Sequence, residues 1–122
     1  MEIIITSGTG SWRAEIFDTP TGQLIQNALP LRGRANRWGQ EIYFSVPVSA
    51  ELEEGAAEVV QPGDLGYWPP GKAFCIFFGP TPASRGNEVR AASAVNIFGR
   101  ITGGLEGLDG VSEGDAVEVK RA

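Results

Sequence analysis

The sequence contains no histidine, one cysteine and two lysines, Lys72 and Lys120. Without histidine no Ser-His-Asp or Cys-His arrangement can form, and the commonest base and metal ligand near neutral pH is missing. The single thiol, Cys75, excludes an internal disulfide and fits a reducing compartment. Zinc would need that thiol plus carboxylates, an unsuitable donor set, so neither a metal nor a cofactor is expected. Ten basic residues stand against fifteen acidic ones, a net charge of -5, which disfavours a nucleic-acid backbone as partner. The longest apolar run, Ala73–Phe78, is far short of the roughly 20 residues of a membrane helix. The opening residues MEIIIT carry no basic region, so no secretory signal is expected and a cytoplasmic location follows by default.

What is present reads as one all-β domain over residues 1–122. Seventeen glycines and eight prolines punctuate short apolar runs, and 42% of the residues are hydrophobic. Strands are expected over 2–6, 12–17, 31–37, 40–46, 58–61, 73–78, 93–102 and 115–120, from alternation and β-branched content. FCIFF, inside the sixth of these, is apolar at every position, as in a strand buried on both faces, with Cys75 a packed thiol. One helix is expected from Pro20, capped by Thr19, with Leu24, Ile25, Ala28 and Leu29 as its apolar stripe and Pro30 as its end. A minor helical turn is expected over 105–111. SGTG at 7–10 lacks the following helix that a phosphate loop requires, and reads as a hairpin turn.

Two corners rich in aromatic side chains hold the candidate chemistry. In Gly66-Tyr67-Trp68-Pro69-Pro70-Gly71-Lys72 each proline restricts the residue before it, and Pro70-Gly71 suits the centre of a type II turn, so Tyr67 and Trp68 are displayed rigidly. Asn36, Arg37, Trp38, Glu41 and Tyr43 form the second corner. A pocket shared between them would have Trp38, Tyr43, Tyr67, Trp68 and Phe78 as walls, with Asn36, Arg37, Glu41 and Lys72 as polar groups. Glu41 and Asp64 are the carboxylates that an aromatic surrounding could turn into general acids. The plainer readings are that Asp64 accepts turn amides and Glu41 pairs with an arginine.

The stretches NRWGQEIYF (36–44), GDLGYWPPGKAFCIFFGPTP (63–82) and ASAVNI (92–97) resemble, in order and over essentially the whole chain, a small prokaryotic cyclophilin-like domain family. That resemblance implies a closed cyclophilin-like β-barrel of about eight strands with short helical elements at its openings. It also suggests peptidyl-prolyl isomerisation, which needs an arginine near the proline nitrogen; Arg32, Arg34 and Arg37 are the candidates. The cyclophilin catalytic pattern includes a histidine and does not match this chain residue by residue. The function expected is therefore binding of a small molecule or short peptide at an aromatic-lined pocket. A weak isomerase and a non-catalytic structural or interaction module are the alternatives. A homodimer through the Phe74 or Ile76 side of the sixth strand is a further expectation, and no membrane partner is expected.

Overall fold

The isoleucines of strand β1 (Glu2–Ser7) make it an interior strand of the sheet, because alternate side chains bury while the backbone pairs on both edges. The computed structural model describes all 122 residues. β2 (Gly10–Ile16) returns from β1 through a turn in which Gly8 takes the left-handed conformation, φ 58°. Helix α1 (Pro20–Ala28) starts where expected: the Thr19 hydroxyl accepts from the Gly22 amide at 2.9 Å, and Pro20 fills the first turn. Of its stripe, Ile25 is fully buried, while Leu24 points to solvent.

The remaining strands are β3 (Leu31–Arg34), β4 (Asn36–Arg37), β5 (Glu41–Ser45), β6 (Ala57–Val60), β7 (Asp64–Trp68), β8 (Ala73–Phe77), β9 (Val89–Ile101) and β10 (Ala116–Arg121). Single 3-10 turns occupy Pro69–Gly71 and Leu108–Gly110. No helix is long and apolar enough to cross a membrane.

The strands form one ten-stranded sheet in the order β3-β10-β1-β2-β9-β7-β8-β5-β4, with β6 attached to β9. Every pairing is antiparallel. This corrects the expected closed eight-stranded barrel: the path has two ends, β3 and β4, and no backbone ladder joins them. Side-chain packing stands where closure would need a ladder. Gly33 of β3 lies so near the Phe44 ring of β5 that an added Cβ would be 2.8 Å from its Cδ2. The extra strands have plain causes. The segment 31–37 divides into β3 and β4, and Asp64–Trp68, which the prolines mark as a corner, is a strand up to its last residue.

The sheet formed by β7, β8 and β5 is buried on both faces. On one side Ile42, Phe44, Leu65, Tyr67, Phe74 and Ile76 join a core of 22 buried residues with Phe98 and the β1, β2 and β10 side chains. Phe74 and Ile76 are fully buried there, so the dimer face expected along them does not exist. On the other side Ala73, Cys75 and Phe77 pack with Val60, Val89, Ala91 and Val95 in a cluster of seven. β9 is the element that makes this possible. Its second half pairs with β2 and β7, while its first half pairs with β6 and lies across the outer face. A register shift against Leu65 and Gly66 re-aims the strand between the two jobs.

Candidate functional site

Between β9 and the outer face of β5 and β7 lies a cavity of about 240 Å³, lined by Trp38, Glu41, Tyr43, Trp68, Ala91, Ala92 and Val95. Period-two alternation explains its floor: Glu41 and Tyr43 share a face of β5, and Tyr43 sits opposite Cys75 on β8. Glycine contacts position the walls. Gly39, at φ 59°, makes the reversal from β4 to β5 and packs on Pro80, Thr81 and Pro82, where an added Cβ would be 2.9 Å from the Thr81 Cα. The Gln40 amide donates to the Pro80 carbonyl at 2.9 Å. The WGQ and FFGPTP stretches thus lock together and hold Trp38 at the rim.

Trp68 is fixed from two sides. Its indole Nε1 donates to the Ser93 hydroxyl of β9 at 2.7 Å, bridging the cavity's two walls. Its ring lies on Gly71, where a Cβ would be 2.9 Å from Cε3 and Cζ3. The Pro70-Gly71 pair does not form the expected type II turn. Residues 69–71 make a 3-10 turn, and the left-handed position passes to Lys72, φ 46° and ψ 48°, whose amide donates to the Pro69 carbonyl. Gly71 is required for the approach of the indole rather than for a positive φ. Gly71→Ala is therefore expected to displace Trp68, break its bond to Ser93 and cost about 1–3 kcal/mol. The Trp68 indole N–H resonance would shift and exchange faster with solvent; an unchanged resonance would rule this packing out.

Glu41 is only 6% exposed, yet no cation lies within ion-pair distance of its carboxyl. The pairing expected with an arginine is absent because Arg37 turns the other way. Its guanidinium donates to the carbonyls of Gly39, Asp109 and Val111, pairs with the Asp109 carboxylate at 3.0 Å, and lies 5.2 Å from the Phe78 ring centre. Burial pushes the Glu41 carboxyl up to about 7, against a smaller lowering from a hydrogen bond to the Cys75 thiol. Burial and the neighbouring Glu41 charge push that thiol well up in turn. The thiol also lies 3.8 Å from the Ala73 carbonyl.

The other candidates are placed elsewhere. Tyr67 faces the large core, its hydroxyl donating to the Val48 carbonyl at 2.6 Å. Asn36 donates to the Tyr43 carbonyl at 3.2 Å and tethers β4 to β5. Phe78 sits beneath Arg37, and Lys72 is exposed at the corner. Arg32 pairs with Glu118 at 2.8 Å, and Arg34 donates to the Gly114 carbonyl. No arginine lines the cavity. Asp64, also buried, accepts from the Gln61 amide at 2.8 Å and from Arg100 at 3.0 and 3.2 Å. No group of three or more carboxylate and thiol side chains converges as a metal site would require. Sequence reasoning missed Ala91, Ala92 and Val95. The only trace of them is the run of small side chains AASA at 91–94, which leaves space facing the aromatic floor.

A family model described as Cyclophilin-like matches residues 1–120. The solution structure of the hypothetical protein AF2241 from Archaeoglobus fulgidus is similar over 100% of this chain and 95% of that one, with 46% identity and a TM-score of 0.85. The structure of McbB in complex with tryptophan shares the fold at a TM-score of 0.67 and 14% identity. The similarity covers 98% of this chain but only 44% of McbB. No curated protein sequence matches the chain.

Proposed function

The chain belongs to the cyclophilin-like family, and on that footing we propose that it binds a small molecule, or one side chain of a short peptide, in the aromatic cavity on the outer face of β5, β7 and β8. The observation that carries the reading is the cavity's lining: three large aromatic side chains face small ones across an open space. The Trp38 indole N–H and the Tyr43 hydroxyl in that lining bond to no other protein group. Apolar walls with a few unspent polar groups are how ligand pockets are built. At about 240 Å³ the space falls below the roughly 300–1,000 Å³ of pockets for drug-sized ligands, so it suits one ring rather than a folded chain. McbB, which shares the fold at 14% identity, has been solved in complex with tryptophan. The binding reading is favoured over prolyl isomerisation because the three candidate arginines are committed to partners away from the cavity.

Amide and indole NMR spectra recorded during titration with single-ring fragments and with short peptides test the proposal. Shifts are expected at the Trp38 and Trp68 indoles and at the Ala91 and Ala92 amides. Trp38→Ala is expected to weaken binding about tenfold or more, as truncation of an aromatic anchor does. Shifts confined to other surfaces, or affinity indifferent to Trp38→Ala, would rule the site out.

A further inference from the structure

Glu41 is a buried carboxyl in an aromatic cage with no cation of the protein's own. Its surroundings supply no other charge. β8 contributes Cys75, whose thiol is held protonated; β5 contributes Tyr43; β7 and the rim contribute Trp68 and Trp38; β9 contributes Ala91, Ala92 and Val95. Arg37, four residues away, is tied to Asp109 and Val111, and Arg90 of β9 is paired with Glu88 and Glu58. Aromatic faces attract cations, the more so when water is excluded. A carboxylate and three such rings around one small space are complementary to a single positive charge on an apolar body. An anionic ligand would have to sit beside Glu41, and a neutral one would leave the carboxyl unpaired.

We propose that the cavity selects organic ammonium ions, primary or secondary amines carried on a single ring or short aliphatic body, with the Glu41 carboxylate as counter-ion. This rests on the binding reading above and names its ligand class. Binding then draws Glu41 into its ionised form. Over the pH range 6 to 8 the ligand stays protonated while Glu41, titrating near 7, passes from about one-tenth to about nine-tenths ionised. Affinity for the cation rises about tenfold over that range, and affinity for a neutral isostere does not.

The test uses 2-phenylethylamine, 2-phenylethanol and 3-phenylpropanoate, a cation, a neutral isostere and an anion built on the same ring. Affinities are measured by NMR titration at pH 6 and pH 8 for the native protein and for Glu41→Gln, whose folding is checked by thermal melting. The amine is expected to bind at least about tenfold more tightly than the alcohol at pH 8, with the preference shrinking about tenfold at pH 6 and lost in Glu41→Gln. Equal binding of amine and alcohol at pH 8, or a preference that survives Glu41→Gln, overturns the ammonium inference while leaving the pocket intact. Absence of any shift at the cavity resonances with all three probes overturns the binding reading beneath it and the inference together.

Discussion

Glu41→Gln is expected to stabilise the fold by about 3 kcal/mol at pH 8 and to leave its stability unchanged near pH 4. Glutamine keeps the shape of the side chain and removes its titration. In the folded protein burial raises Glu41 to about 7, whereas the exposed carboxyl of the unfolded chain stays near 4.5. The native state therefore holds this proton more tightly than the unfolded state. Below the lower value both states are protonated and the carboxyl imposes no cost. Between the two values the unfolded chain is already ionised, and native stability falls as pH rises. Above the upper value the full cost is present, on the order of 3 kcal/mol. The other shifted carboxylates, Glu88 and Glu118, are lowered by Arg90 and Arg32 and cancel when the variant is compared with the native protein at each pH. Denaturant unfolding of both proteins at pH 4, 5.5 and 8 measures the difference directly. A difference that does not grow with pH would mean that Glu41 is not desolvated. Growth of the opposite sign would mean that a cation reaches it in the folded state. A cost of this size would mean that Glu41 does not serve the fold at neutral pH, which points to the cavity rather than the core as the place to look for function.

How far the sequence carries this reading depends on the range of the interactions involved. Local patterns were legible: the isoleucine strand, the Thr19-Pro20 helix start, and the two-sided burial of FCIFF all follow from residues adjacent in the chain. The alternation of β5 likewise put Glu41 and Tyr43 on the face opposite Ile42 and Phe44. Closure of the sheet was not legible, because it depends on whether β3 and β4 meet a partner across the whole molecule, and no local pattern records that. For the same reason Tyr67 and Trp68 could not be separated: as neighbours in a strand they must point to opposite faces, but only the position of β9 decides which face holds the cavity. The small residues of β9 gave almost no signal, since a wall that contributes by leaving room carries no chemistry of its own; Ala91 and Ala92 lay outside the strand expected over 93–102, and Val95 read only as part of that strand. Arg37 misled in the opposite direction. A cation beside a carboxylate in the chain suggests a pair, and the carbonyls of residues 109 and 111, remote in sequence, outcompete it.

Phe74→Ala is expected to lower stability by about 4 kcal/mol, the usual range for deleting a buried phenyl ring being about 3–5 kcal/mol. Phe74 is fully buried at the centre of an aromatic trio, stacked on Phe44 with ring centres 5.2 Å apart and edge-on to Phe98 at 5.0 Å. Each such contact adds a fraction of a kcal/mol to somewhat above one beyond the area buried. The three rings come from β5, β8 and β9, strands anchored in a ladder whose backbone bonds cannot shift to fill the space, so collapse around the cavity is limited. For a chain of this length the melting temperature should fall by about 10–20 °C. The same substitution should leave the Trp38 and Trp68 indole resonances and the affinity for 2-phenylethylamine nearly unchanged, because Phe74 and the cavity lie on opposite faces of the β5–β8–β7 sheet. Cys75, the next residue, faces the other way and touches Glu41, so Cys75→Ala should do the reverse: little loss of stability and a measurable change in the pH at which Glu41 titrates. A loss below about 1.5 kcal/mol for Phe74→Ala would show that the neighbouring rings repack. Altered indole resonances would show that the two faces are mechanically coupled. The expected pair of results would make the sheet a partition, with one side holding the fold together and the other free to carry the unpaired charge of Glu41.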